Sequence, residues 1–489
     1  MTELSPSLTA NPDPGRWLEL RPDGIVLVRS GKVELGQGVL TALAQIVADE
    51  LDVDIARIRM ATVQTGLSPD EGYTAGSLSM QHSGSALRVV AARLRAALVA
   101  AAAAKLGVAT DELIVADGEI RGPGGVSTSY WELAESVAES PVVDAPVKPA
   151  RAHKVVGGDV PRIDIPGKVF GTRRYVHDLR FAGQLFGRVL RPPARGARLV
   201  EVDEGAVSDL PGVVVVRDGD FVGVLAERED VAVRAVAALD RACRWEHRDT
   251  LPDERTLADF LTSAPSDEHL LYDTGTAPLP GATTVTARFT RPYLAHASIA
   301  PSCAVARWHN GKLAVWSHTQ GVYQLRAELA RWFGLAPDDV SVEHVEGAGC
   351  YGHNAADDAA GDAALLARAV PGRHVQVVWS RPDELGWAPF GPAMAVEVTV
   401  ELDAAGEIHH WRQEVWSNGH TSRPSSRGNP PLLAAAHQGR PPTVSSDPPL
   451  ANGGGSGRNA VPGYRLPGLT VVSHVLRDMP LRTSALRAL

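Results

Sequence analysis

The 489-residue sequence predicts an α+β fold with mixed sheets. Three observations carry that expectation. A loop containing Gln-Gly launches an amphipathic helix that returns through a turn into an alternating strand, and this unit occurs twice, at residues 35–38 and 318–321. Residues 185–225 hold four short, β-branched strand candidates followed by one helix. Residues 374–380, 394–402 and 407–416 then read as three further strands.

In chain order, the first unit reads VELGQGVLTALAQIVADELDVDIARIRMATV, with Val39, Leu43, Ile46, Val47 and Leu51 on one helix face. An acidic turn at 52–54 leads to a strand expected over 58–63. The loop Glu71-Gly72-Tyr73-Thr74-Ala75-Gly76-Ser77 precedes a long Ala-rich helix at 78–106, and the Pro- and Val-rich residues 140–149 read as an extended linker. Strands at 185–190, 199–202, 213–216 and 221–225 with a helix at 230–243 make a compact α+β module, and the polar residues 250–271 read as a crossing segment. The second unit reads SHTQGVYQLRAELARWFGLAPDDVSVEHV, with Val322, Leu325, Leu329 and Phe333 on one face and a strand at 340–345. Its following loop runs from Glu346 through Gly349, Cys350, Tyr351, Gly352 and His353 to Asn354, before another Ala-rich helix. Residues 424–468, including Gly453 to Gly457, are Pro- and Gly-rich and read as structureless. A strand at 469–475 follows, and PLRTSALRAL reads as the entry to a new helix. The expected division is 1–150, 151–275 and 276–489.

A hydrophobic content of 44% with 21% charged residues is that of an ordinary globular protein. No window approaches the run of about 18 apolar residues that a membrane span needs. The N-terminal residues lack a basic stretch followed by an apolar one and lack a twin-Arg signal, so a cytoplasmic location is expected. Cys243, Cys303 and Cys350 are too few for a disulfide framework or for an iron–sulfur cluster held within this chain. A formal charge of −9 argues against a nucleic-acid partner. A loop that ends at a helix start offers backbone N–H groups and the positive end of the helix dipole, which suits phosphate. Each such loop also fits an ordinary αβ connection. Four of them in two similar units point instead to a cofactor gripped from both sides.

Those motifs resemble the molybdopterin-binding subunits of the xanthine dehydrogenase-like molybdenum hydroxylases, in the branch of the isoquinoline 1-oxidoreductase and nicotinate dehydrogenase large subunits. Lys32-Val33-Glu34-Leu35-Gly36-Gln37-Gly38 resembles the family's E-x-G-Q-G loop, and Thr74-Ala75-Gly76-Ser77-Leu78-Ser79 its Ser/Thr-rich cofactor loop. Ile165-Pro166-Gly167-Lys168-Val169-Phe170-Gly171 resembles the start of the small α+β "hammerhead" domain. Thr319-Gln320-Gly321 resembles the loop whose Gln reaches the metal's oxo ligand, and Gly347 to His353 stands where many relatives have G-G-G-F-G-G-K.

The resemblance implies mixed-sheet molybdopterin-binding domains around a hammerhead domain. It implies molybdenum held by the dithiolene of a pyranopterin, often as the cytosine dinucleotide, with protein hydrogen bonds rather than protein metal ligands. On that reading Gly36, Gln37, Gly38, Thr74, Gly76, Ser77 and Ser79 hold pterin and phosphate atoms. Gln320, with Gly321, donates to an oxo group, and Gly349, Cys350, Tyr351, Gly352 and His353 line the metal's substrate side. Arg487 resembles the family's Arg at the start of a helix. Cys350 also fits a small buried filler, His353 a solvent-facing loop residue, and His296 a satisfied core histidine without a role.

Family members hydroxylate an electron-poor carbon using a buried Glu in a Gly-Glu-Pro segment as general base. No Gly-Glu-Pro occurs here; Gly118-Glu119 and Gly406-Glu407 read as hairpin turns. Two expectations follow. In one, the chain is the molybdopterin-binding part of a hydroxylase for an aromatic N-heterocycle or aldehyde, with water as oxygen source. A second chain then supplies the base, and a small [2Fe–2S] subunit removes electrons. In the other, it is a truncated or degenerate scaffold without catalysis.

Overall fold

The computed structural model describes residues 4–138, 144–172, 175–247, 249–423, 432–439, 446–447 and 455–486. Arg487, residues 140–143 of the expected linker and most of 424–454 therefore lie outside the described residues. Close packing divides the chain into two units. One comprises residues 1–175, 319–326 and 341–346, and the other 176–318, 327–340 and 347–489.

In the first unit, the helix Val39–Leu51 places Leu43, Val47 and Leu51 fully out of solvent. That face packs on Leu87, Val90, Ala91 and Leu98 of the Ala-rich helix Ser85–Leu106. One π-turn, Met80–Gly84, precedes this second helix. The strand Val26–Val28 pairs antiparallel with Leu18–Leu20 and parallel with Ile58–Met60. The strand expected over 58–63 leaves this sheet after Met60. Its continuation pairs elsewhere: Thr65 N donates to Val342 O at 3.0 Å, and His344 N donates to Val63 O at 2.8 Å. The two Gln-Gly units thus share main-chain hydrogen bonds. A three-stranded meander, Ile114–Ala116, Glu119–Arg121 and Ser127–Ser129, turns at Asp117 and Gly118, both with positive φ, as the Asp-Gly pair predicts.

In the second unit, six strands of a seven-stranded sheet have the order Lys312–Ser317, Cys303–His309, His374–Val378, Leu185–Leu190, Phe221–Ala226, Val214–Asp218. Only the His374–Val378 and Leu185–Leu190 pair among these is parallel. The helix Ala356–Arg368 is buried at every position from Ala356 to Ala367, which is why its composition is so rich in Ala. A five-stranded sheet follows the order Ser266–Asp273, Leu469–Leu476, Ile408–Ser417, Met394–Leu402, Thr283–Arg291.

Residues 250–271 are thereby not a plain crossing segment. They hold the helix Leu257–Ser263 and most of the edge strand Ser266–Asp273. That strand is half-buried at two positions and exposed at the rest, so it carries no alternation of apolar residues for a sequence pattern to reveal. The strand Cys243–Glu246 was likewise unforeseen; it pairs with Arg198–Val202. Within 424–468 the described part includes a short helix, Leu433–His437.

Candidate functional site: interlocked Gln-Gly loops

Both Gln-Gly loops and the Thr74 loop meet inside the first unit. Thr74 is the hub. Its Oγ1 accepts from Val33 N at 2.9 Å, its N–H donates to Gln320 O at 2.9 Å, and its carbonyl accepts from Gln320 Nε2 at 2.8 Å. This reciprocal pair orients the Gln320 amide, because only the NH2 end can face a carbonyl. Gln320 Oε1 is then left buried with no partner among the described residues. An orphaned acceptor of this kind is costly unless a ligand donor fills it. Beside it, a Cβ on Gly321 would stand 2.5 Å from Gln324 Oε1 and 2.6 Å from the Tyr73 ring. The ring nitrogens of His344 lie 2.9 Å from Thr319 O and 3.2 Å from Glu34 O, so the same side chain touches both Gln-Gly loops.

Lys32 is buried, and its Nζ donates to Glu71 O at 2.6 Å and Tyr73 O at 3.0 Å. Burial pulls its ammonium below the usual range against the raising effect of Glu71 and Asp70. The Glu71 carboxylate accepts from Ser30 Oγ at 3.0 Å and Gly31 N at 2.7 Å. The half-buried Ser79 and exposed Ser77 hydroxyls have no hydrogen-bond partner among the described residues, and Gly76 and Ser77 have φ of 66° and 58°.

The start of the first Gln-Gly helix is not the open anion site the sequence suggested. Glu34 folds back over it. Its Oε1 accepts from Gly36 N at 2.8 Å and Gly38 N at 2.9 Å, and its Oε2 accepts from Leu40 N at 3.3 Å. A carboxylate of the chain itself thus takes the place a phosphate would have had. Gln37 also turns inward, its Oε1 accepting from Leu35 N and its Nε2 donating to Val33 O at 2.9 Å. At Ala356, likewise, Asn354 Oδ1 accepts from the first helical N–H at 3.1 Å. At both starts a side chain two to six residues upstream takes up N–H groups, those of Gly36, Gly38 and Leu40 at the first and that of Ala356 at the second.

The remaining predicted residues lie in the second unit. Gly349, Tyr351 and Gly352 all have positive φ, 112°, 49° and 121°. The backbone at Gly352 is fitted against the C-terminal segment: His353 N donates to Ala485 O at 2.9 Å, and a Cβ on Gly352 would lie 2.2 Å from that same oxygen. Cys350 is buried and its Sγ lies 2.8 Å from Gly352 O. Tyr351 is exposed. His353 does not face solvent; its ring lies between Ser484 Oγ at 2.8 Å and Asp357 Oδ2 at 3.1 Å. Burial pushes this imidazole down to about 4, and the Arg423 charge adds to the effect. His296 is buried with its ring nitrogens 2.9 Å from Pro389 O and 2.9 Å from Ala485 O, as a core histidine.

Sequence reasoning missed Lys32, Glu34, Glu71 and His344 as parts of the loop network. Glu34 alone carried a signal, its place four residues before Gly38. The others act through main-chain carbonyls and N–H groups that no motif displays.

These loops coincide with two matched regions. Residues 2–155 match one molybdopterin cofactor-binding domain family and residues 274–439 match another. The chain is 40% identical over 410 residues to a nicotinate dehydrogenase subunit of Pseudomonas putida, covering 80% of this chain and 34% of that protein. It is 29% identical over 459 residues to the isoquinoline 1-oxidoreductase beta subunit of Brevundimonas diminuta, covering 81% of this chain and 58% of that protein. The aldehyde oxidoreductase of Desulfovibrio gigas shares the fold, with a TM-score of 0.51 at 17% identity over 73% of this chain and 42% of that one. The fold is thus that of molybdopterin cofactor-binding domains. More particularly, residues 2–155 and 274–439 belong to two molybdopterin cofactor-binding domain families, and the chain is similar to large subunits of the xanthine dehydrogenase-like molybdenum hydroxylases. It spans 34% and 58% of the lengths of these two curated relatives.

Proposed function

We propose that this chain is the molybdopterin-binding portion of a molybdenum hydroxylase that oxidises an aromatic N-heterocycle or an aldehyde. One observation carries the reading: the Thr74–Gln320 interlock, which leaves a buried, oriented and unpartnered amide oxygen between small-residue loops. These residues fit a pterin cofactor, whose edge is dense in N–H donors. When bound, that cofactor holds the molybdenum through its dithiolene and supplies two-electron oxidation chemistry.

The chain's own part is binding and orientation. Gln320 and Thr74 fix one edge of the cofactor. Ser77, Ser79 and the N–H groups around Gly76 offer donors to phosphate oxygens, in keeping with a cytosine dinucleotide form. Gly36, Gln37 and Gly38 shape the loop rather than grip an anion, since Glu34 already occupies the N–H groups of Gly36 and Gly38. Gly349 to His353 line the substrate side in this reading. Water supplies the oxygen, a second chain supplies the general base, and electrons leave to a small [2Fe–2S] subunit in a cytoplasmic complex. The segments 1–150, 151–275 and 276–489 then correspond to a first cofactor-binding segment, a hammerhead domain and a second cofactor-binding domain.

The test is elemental and pterin analysis of the chain purified with its co-encoded companions, followed by turnover assays with nicotinate, isoquinoline and an aromatic aldehyde. Molybdenum and pterin in proportion to the chain, with turnover of one substrate class, are expected. A stable complex devoid of both would end the proposal.

A further inference from the structure

Three carboxylates and two cations form a continuous chain of ion pairs in the first unit. Arg162 Nη2 lies 3.5 Å from Glu34 Oε1 and 2.6 Å from Asp164 Oδ2. Lys168 Nζ lies 2.6 Å from the same Asp164 oxygen and 2.6 Å from Glu346 Oε2. The carboxylates sit deep: the side chains of Glu34, Asp164 and Glu346 are 1%, 0% and 6% exposed. Arg162 also donates from Nη1 to Gly36 O at 2.9 Å, and Ile163 N donates to Thr41 Oγ1 at 3.0 Å. The stretch 162–168 therefore lies along the first Gln-Gly loop and reaches Glu346, just past the strand of the second Gln-Gly unit.

We infer that Arg162 and Lys168 are positioning residues that fasten the two Gln-Gly units to one another, and so set the geometry of the cofactor loops. This rests on the cofactor reading above. The physical reason lies in where the carboxylates are. Glu34 caps the first Gln-Gly helix, and Glu346 follows the strand Val340–His344 by two residues, so each is tied to its own Gln-Gly unit. Asp164 stands between them and is shared by both cations. Burial alone would raise its pKa, but the hydrogen bonds from Arg162 and Lys168 hold the carboxyl well below its usual range. Burial likewise acts against the charged form of Lys168, but its hydrogen bonds to Asp164 and Glu346 outweigh that and hold the ammonium above its usual range. Removing either cation takes one of two counter-charges from the fully buried Asp164 and breaks the link to one of the Gln-Gly units, so the loops are expected to loosen. An exposed ion pair would carry no such consequence.

The experiment uses the complex with its companion chains and compares the wild type with K168M, K168R, R162M and R162K, with R255M as an exposed control. Arg255 pairs with Asp253 at the surface, where water already solvates both groups. Molybdenum and pterin per chain are measured together with hydrogen exchange of residues 33–41 and 341–346. K168M and R162M are expected to lower cofactor content by about ten- to a hundredfold, and exchange should rise in both segments at once. K168R is expected to restore most of the content, because it keeps the charge between Asp164 and Glu346. R162K keeps the charge and loses the fork, so exchange should rise mainly at 33–41. Wild-type cofactor content and exchange in K168M, or a rise confined to 341–346, would overturn the inference. Should the Met variants fail to fold, R162K decides: unchanged exchange at 33–41 overturns it. A wild type devoid of molybdenum and pterin would instead defeat the cofactor reading, while the exchange arm still tests the fastening.

Discussion

Glu34 does at one helix start what a bound phosphate does at others, and that role can be measured. E34A leaves the N–H groups of Gly36, Gly38 and Leu40 without their acceptor. It is expected to cost about 1–3 kcal/mol in urea unfolding, and a change within experimental error would show that water replaces the carboxylate. Gly352 is tighter still. Its φ of 121° and the 2.2 Å approach to Ala485 O leave no room for a methyl group, so G352A should lose about 2 kcal/mol or more. His353 gives a pH signature. Its folded pKa is about 4, against about 6.5 for a free imidazole. Above that upper value neither state is protonated. As pH falls through the window, the unfolded chain gains a proton that the folded chain refuses, so stability declines towards the lower value. The difference between wild type and H353N in thermal midpoint should therefore shrink as pH falls from about 7 to about 4. A pH-independent difference would rule out a neutral, buried imidazole.

At the scale of elements, the helix Ala356–Arg368 is the one with the most at stake. Asp362 on it is completely buried and receives the Arg191 guanidinium and Trp379 Nε1, the latter at 2.8 Å. Burial pushes its carboxyl up to about 6 despite Arg191. R191M is expected to cost about 3–5 kcal/mol, and the double variant R191M/D362L to recover most of it. Denaturant titrations of the two proteins check this, and equal losses in both would refute the pairing. Elements with a buried face were legible in the sequence. Val39–Leu51 and Val322–Phe333 fall where apolar periodicity placed them, and Phe221–Ala226 and Met394–Leu402 fall where strands were expected. Leu257–Ser263 and Ser266–Asp273 did not, because an exposed edge strand needs backbone partners rather than an apolar face.

For the molecule as a whole, the first unit is not a contiguous stretch. It is completed by residues 319–326 and 341–346. Tyr323 Oη donates to Ser68 O, and Val342 N donates to Thr65 Oγ1 at 3.0 Å. A fragment ending at residue 175 is therefore expected to melt earlier and less cooperatively than the same unit within the full chain, as followed by circular dichroism and hydrogen exchange. Equal midpoints would mean that the inserted segments add nothing to stability. Among the described residues no helix is long and apolar enough to cross a membrane. By itself the sequence determined the class of fold, most strands and helices, the repeated Gln-Gly unit and, through its motifs, the family. These are properties of local pattern, written in side-chain order. Only the tertiary structure decided that Thr74 and Gln320 lock together across 246 positions, that Glu34 closes the helix start beside it, and that Arg162 and Lys168 bind both loops through Asp164. Those contacts join backbone groups and charges far apart in sequence, and such partners are chosen by the path of the fold rather than by any neighbour in the chain.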